Sequence, residues 1–267
     1  MTYTEIEVED RGAVRWVYLC RPEQLNTLTV TMVKEMCQAF QAAAADAGVG
    51  VVVLSGRGRG FCAGADLKDT PSPAVVRGGK RNFFDDSDDL AELLTRYPKP
   101  LLAALNGVTC AGGLELALFA DVIFAARNVR IGDVHSNFGL MPGLGGAVRL
   151  TRAVGPQRAR MLMFSGDLIP AEEAASWGLV GKVVEPDELQ AQTQAFAEKL
   201  AGKSRKGLLK MRALVEDSFD ASLDNALRLE RVVYREYYQS PEVLEGQSAF
   251  REKRQPNFRS FWVDSDN

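Results

Sequence analysis

Apolar residues in this chain fall into two rhythms. Short continuous runs suit buried strands, and longer stretches with an apolar face suit helices. Residues 101–121, LLAALNGVTCAGGLELALFAD, hold both. Five apolar residues open the stretch, Asn106-Gly107 breaks it, and Ala111-Gly112-Gly113 allows a tight turn into a helix predicted over 114–120. The first turn of such a helix directs unpaired N–H groups back into the gap, and Glu115 sits in that turn. The segment reads either as a Gly-rich turn with a solvated Glu or as an anion-holding backbone beside a carboxylate.

The rest of the chain extends the pattern. Residues 14–19 read as a strand turned by Arg21-Pro22-Glu23. Residues 31–47 read as a helix with Met32, Met36, Ala39 and Phe40 on one face, ended by Gly48. Residues 50–55, GVVVLS, read as a strand buried on both faces. Residues 68–89 lack an apolar period until Leu90 and read as a mobile surface loop with two prolines, a basic patch and an acidic run. Within it, Phe83-Phe84 either caps a pocket or anchors the loop. A short helix over 90–96, a strand over 122–125 and a tight MPGLGG turn at 141–146 follow. Helices are expected over 147–154, 156–164, 170–176, 185–201, 207–218, 223–239 and 242–251. With no linker and no strand-like run after Val184, the chain reads as an α/β core (1–200) and a helical C-terminal region (201–267) of the same functional unit.

Composition narrows the chemistry. The 267 residues are 46% hydrophobic with a formal charge of −3, which supports a sizeable core and disfavours a broad basic surface for nucleic acid. The start MTYTEIEVED carries no secretory or transit signal, and no run of about 18 apolar residues exists, so a cytoplasmic protein without a membrane span is expected. The four cysteines, Cys20, Cys37, Cys62 and Cys110, form no C-x-x-C pair and are expected as buried free thiols. His135 is the only histidine, which excludes a histidine-based metal cluster. The glycine-rich GRGRGFCAG at 56–64 has neither G-K-[ST] nor G-x-G-x-x-G. It reads as a simple turn after a strand, or as one that aims backbone N–H groups at a ligand.

Two Gly-rich turns after strands therefore stand out, FCAGADL at 61–67 and AGGLE at 111–115. Together with RPEQLNTL at 21–28, GLMPGLGG from Gly139, AEEAASWGLVGKVV at 171–184 and EGQSAFREKRQPNF at 245–258, they resemble in order the motifs of the enoyl-CoA hydratase/isomerase (crotonase) family. The resemblance implies a crotonase-like (ClpP/crotonase) α/β spiral of ββα units with a helical C-terminal trimerisation region. It also implies a homotrimer or hexamer, to which Leu227, Val232, Val233, Tyr234, Tyr237 and Tyr238 would lend apolar surface; an intrachain helical bundle is the alternative use of that surface.

Reactions of this family pass through a thioester enolate, whose oxygen must meet two fixed N–H donors. By resemblance these are the backbone N–H groups of Ala65 and Gly112, and Glu115 is the first catalytic carboxylate. Burial would raise its pKa while the helix end would lower it. The family's second carboxylate falls on His135; Asp133, two residues earlier and by strand alternation on the same side, is a further catalytic candidate. His135 is thus either a catalytic or water-holding group or a structural imidazole. The resemblance also implies that Gln24, Leu25, Thr27, Ala63, Asp66 and Leu67 meet the substrate, and that Phe250 and Lys253 reach CoA. No cofactor is expected, since CoA is part of the acyl-CoA substrate. The activity implied is hydration of an α,β-unsaturated acyl-CoA. Isomerisation, decarboxylation, thioester hydrolysis and non-catalytic acyl-CoA binding are the alternatives. RNA binding, known in the family, is disfavoured by the acidic balance.

Overall fold

The computed structural model describes residues 2–262. Among them, six strands form the larger sheet: β1 (Ile6–Arg11), β2 (Val14–Leu19), β3 (Val51–Gly56), β5 (Leu101–Leu105), β7 (Val122–Ala126) and β10 (Lys182–Val184). They lie in that order; β1 is antiparallel to β2 and the others run parallel. Every residue of β3 and β5 is buried, as a continuous apolar run covered on both faces requires. A smaller sheet is made of β4 (Gly60–Cys62), β6 (Val108–Cys110), β8 (Arg130–Gly132) and β9 (Leu168–Pro170), with β4, β6 and β8 parallel and β9 antiparallel. The chain alternates between the sheets: β3 then β4, β5 then β6, β7 then β8. This is the expected ββα spiral, and its short second strands are the elements that sequence reading overlooks. At three residues each they are too brief to show a period.

The helices are α1 (Val30–Ala45), α2 (Pro73–Arg77), α3 (Phe83–Thr95), α4 (Gly112–Ala117), α5 (Gly146–Val154), α6 (Pro156–Ser165), α7 (Ala171–Ser176), α8 (Leu189–Ala201), α9 (Arg205–Ser218), α10 (Leu223–Tyr237) and α11 (Pro241–Glu252). Thr29 caps α1 by accepting the Met32 N–H at 3.0 Å, and Met32, Met36, Ala39 and Phe40 are buried as expected. Two expectations need correction. The predicted helix over 114–120 instead starts two residues earlier, at Gly112 within the Gly-rich turn, and stops at Ala117. The segment 68–89 is not one loop, because α2 lies within it and α3 begins at Phe83 rather than Leu90. A reciprocal cap explains the second case: the Asn82 side chain accepts the Phe84 N–H at 3.0 Å, and Asp85 accepts the Asn82 N–H at 2.7 Å. Phe83 is buried and anchors the segment, whereas Phe84 is exposed.

After α8 the chain leaves the larger sheet. Arg212 of α9 ties back through hydrogen bonds to Asp121 and to the carbonyls of Tyr97 and Lys99. The next helix, α10, has no buried residue, although apolar side chains stripe it. Cys62 and Cys110 are buried, whereas Cys20 and Cys37 are only half-buried; all four are unpaired.

Candidate active site

The three parallel strands of the smaller sheet each end in one of the segments singled out by sequence. β4 leads to Ala63–Ala65, β6 to Ala111, Gly112 and Glu115, and β8 to Asp133 and His135. Carboxyl ends of parallel strands are where open α/β sheets gather ligand groups, because the turns leaving neighbouring strands converge there.

The first two segments touch. An ideal Cβ on Gly64 would stand 2.8 Å from the Ala111 Cβ and 3.3 Å from the Gly112 nitrogen, and one on Gly112 would stand 3.6 Å from the Ala65 nitrogen. Gly64 also has φ +100°, where a side chain is strained. Leu28 forms a parallel bridge with Ala65 by donating to the Gly64 carbonyl and accepting from the Asp66 N–H. In such a bridge the N–H of Ala65 itself points the other way. Gly112 is the first residue of α4, so its N–H has no helical acceptor. Neither N–H donates to any described residue. The residue between the strand and this donor, Ala111, is held at φ +50°, ψ −125°, outside the ordinary regions for alanine. Two adjacent, unspent backbone donors on a strained turn can hold an anionic oxygen.

Glu115 projects from the first turn of α4 and is 2% exposed. Its Oε1 accepts the N–H of Leu144 at 2.6 Å and of Gly146 at 2.9 Å. This explains the Gly-rich MPGLGG turn, since a Cβ at Gly146 would lie 2.7 Å from Cγ of Glu115. The sequence marked that turn only as a tight turn and a family motif; in the structure its backbone grips Glu115. Oε2 is left to face Nε2 of His135 at 3.8 Å. Burial pushes the Glu115 carboxyl above the ordinary carboxylate value, against the pull of the Gly146 and Leu144 N–H groups and of His135.

His135 opens a 3₁₀ turn (His135–Phe138) after β8. Its Nδ1 lies 2.8 Å from Oδ1 of Asp133, which also accepts the backbone N–H of His135 at 3.1 Å. Burial lowers the imidazole pKa, but Asp133 and Glu115 outweigh it and hold it above the ordinary histidine value. The 3.8 Å between Glu115 and His135 is too long for a hydrogen bond, yet a water about 2.8 Å from each can sit to one side of the line joining them. A carboxylate and an imidazole so placed can take and give a proton.

The remaining predicted residues divide into two groups. Gln24, Leu25 and Thr27 lie on the turn that braces the first donor loop: the Leu25 carbonyl accepts the Ala63 N–H at 3.0 Å, and Thr27 Oγ1 is 3.3 Å from Asp66. The Asp66 carboxylate is engaged by Arg21 at 3.1 Å and by the Lys68 N–H, so it fixes the loop, while Leu67 is exposed. Phe250 and Lys253 lie on and just after α11, both exposed, and no hydrogen bond or ion pair joins either to the Glu115 cleft. Among the described residues, no cluster of three His, Cys, Asp or Glu is placed to hold a metal.

Comparison with known proteins gives the same picture across the chain. The family model described as enoyl-CoA hydratase/isomerase matches residues 9–261. A probable enoyl-CoA hydratase of Rhizobium meliloti is 35% identical over 259 residues, covering 97% of this chain and 99% of the relative. A crotonyl-CoA hydratase of Syntrophomonas wolfei is 32% identical, covering 97% of this chain and 100% of the relative. The crystal structure of an enoyl-CoA hydratase from Bacillus anthracis superposes with a TM-score of 0.88 at 31% identity, covering 96% of this chain and 99% of that one.

Proposed function

The chain belongs to the enoyl-CoA hydratase/isomerase family, and from that premise we propose that it is a hydro-lyase adding water across the double bond of an α,β-unsaturated acyl-CoA. The observation that carries this reading is the pair formed by buried Glu115 and His135, 3.8 Å apart, on the strand ends next to the two unspent N–H donors.

In this mechanism the thioester oxygen accepts from the N–H groups of Ala65 and Gly112. Ionised Glu115 takes a proton from the bound water, and the resulting hydroxide forms the bond to Cβ. The double-bond electrons move to the thioester oxygen, giving an enolate, and each backbone donor stabilises that charge by about 3 kcal/mol. Protonated His135 then gives its Nε2 proton to Cα as the enolate collapses back to the thioester. The pair is left as a carboxylic acid facing a neutral imidazole, and one proton transfer from Glu115 to His135 restores the starting state. Proton count is conserved over the cycle, and the imidazole does what a second carboxyl would do. A non-catalytic acyl-CoA binder gains nothing from burying Glu115 beside this ring.

CoA enters as part of the substrate, and no further cofactor has a role in the scheme. Phe250 and Lys253, both exposed, serve CoA by resemblance to family positions that in some members act from a neighbouring subunit. Assembly as a trimer or a pair of trimers, with the helices after residue 201 as the assembling part of one functional unit, is supported by the apolar stripe of α10. A cytoplasmic location is supported by the unpaired cysteines, and no helix among the described residues is long and apolar enough to cross a membrane. The direct test is to mix the protein with crotonyl-CoA and longer enoyl-CoA esters. Loss of the conjugated thioester's ultraviolet absorbance is expected, and no loss with any chain length would refute hydration.

A further inference from the structure

We propose that Asp133 is a positioning residue: it fixes the His135 ring with a proton on Nδ1, so that Nε2 is the nitrogen presented to Glu115. This rests on the hydratase reading for the role of the pair, but its geometry stands apart from it. Asp133 is 1% exposed and, among the described residues, forms no ion pair with lysine or arginine. Its only hydrogen-bond donors among the described residues are the backbone N–H and the ring Nδ1 of His135, and both reach the same oxygen, Oδ1, at 3.1 and 2.8 Å. An ionised carboxylate can only accept, so Nδ1 must donate. That sets the tautomer of the neutral ring and leaves Nε2 free to gain and lose the proton that moves toward Glu115. The backbone bond holds the turn at the same time, so the orientation of the ring is built into the exit from β8. Replacing a carboxyl by an imidazole at this point of the fold therefore needs two residues, because an unsupported ring has two interchangeable nitrogens.

The groups that face the ring are few. Asp133 comes from its own loop and Glu115 from α4. The 3₁₀ turn also packs on α6, whose Arg158 and Arg160 are exposed and pair with neither carboxylate; Arg158 lies over Trp177 at 5.3 Å. The Cys110 thiol, pushed up to about 11 by burial and then by Asp133, stays neutral through the range that matters.

Because the chain contains a single histidine, its imidazole can be followed without assignment in the intact, nitrogen-15-labelled protein. The wild-type neutral ring should show the Nδ1–H tautomer and titrate above free histidine. Asp133→Asn keeps an oxygen for the N–H groups but removes the charge, so the ring should titrate lower. Asp133→Ala removes both, so the ring should also shift toward Nε2–H. With crotonyl-CoA, kcat should fall by about 10²-fold in each variant, at the low end of general acid–base contributions. KM should change little, and the alkaline limb of kcat should move down in step with the ring's titration. A wild-type ring in the Nε2–H form would overturn the proposal. So would Asp133 variants whose ring titration and tautomer are unchanged, or whose kcat falls with an unmoved alkaline limb. Wild-type protein inert toward enoyl-CoA but with the expected tautomer would refute the hydratase reading and support the positioning role.

Discussion

At the scale of single residues, Glu115 carries opposing demands. In the proposed mechanism it must be ionised to take a proton, yet burial holds its pKa above the ordinary carboxylate value. His135 must be protonated to give one, and its pKa is held above the ordinary histidine value. The hydration rate should therefore rise with pH through the Glu115 titration and fall through that of His135, with both limbs displaced upward and belonging to the pair. A pH–rate profile checks this, and the alkaline limb should vanish in His135→Ala. Glu115→Gln keeps an oxygen for the Leu144 and Gly146 N–H groups but cannot accept a proton. Activity should fall by about 10²–10⁴-fold while CoA-ester binding persists in calorimetry. The same substitution has a stability consequence. A carboxyl whose folded pKa is raised contributes fully below its unfolded value, and the contribution is lost as pH rises through the folded one. Glu115→Gln should therefore melt above wild type at alkaline pH, and a lower Tm there would contradict the burial argument. Glu115 was legible from its place after a Gly-rich turn. Its grip by Leu144 and Gly146 was not, because those donors are backbone groups from a distant loop and leave no side-chain signature.

At the scale of elements, the strands β2, β3, β5 and β7 and most periodic helices were legible, whereas the six-residue β1, buried only at Ile6, was not. The short β4, β6, β8 and β9 were not, since strands so brief are fixed by the neighbours they pair with rather than by their own pattern. The start of α3 was missed for another reason: residues 85–89, DDSDD, separate Phe83-Phe84 from Leu90 and interrupt the apolar period. The signal that marks it is the Asn82 cap with Asp85 three residues on. Asn82→Ala should cost about 1 kcal/mol, and hydrogen exchange should speed up in the first turn of α3 before it does in the rest. Uniform exchange across α3 would mean that Phe83 alone sets the boundary. The donor turns allow a second check. Gly64→Ala must force a Cβ at positive φ into contact with Ala111, so the two N–H groups should separate. Loss of one aligned donor should lower kcat by about 10²–10³-fold, with Glu115 and His135 chemically intact. Unchanged kcat would remove these donors from the mechanism.

At the scale of the whole molecule, the C-terminal helices were read at nearly their observed bounds, because each is long and amphipathic. What covers their exposed apolar side chains is not written in local periodicity. Leu223, Val232 and Tyr234 of α10 are 74%, 63% and 59% exposed, more apolar surface than a helix in water should carry. Sedimentation equilibrium should therefore report a trimer or its multiple at micromolar concentration. Val232→Glu should shift the population toward monomer and lower activity if Phe250 and Lys253 serve a neighbouring subunit. A wild-type monomer would mean that α10 is covered in some other way.

The smaller sheet separates two kinds of work by strand. In the proposed mechanism β4 and β6 deliver the backbone groups that hold a carbonyl oxygen, whereas β8 delivers His135, which moves a proton, and Asp133, which positions it. Peptide N–H groups survive almost any substitution that preserves the turn, so the carbonyl grip is robust to mutational drift. The loop after β8 works through the identity of its side chains, and it is tied to the donor turn by the Ala111 N–H on the Gly132 carbonyl at 3.3 Å. Such a division makes the fold evolvable: a lineage can exchange its proton-handling residues at the third strand end, and so change the fate of the enolate, while the means of forming it is inherited intact.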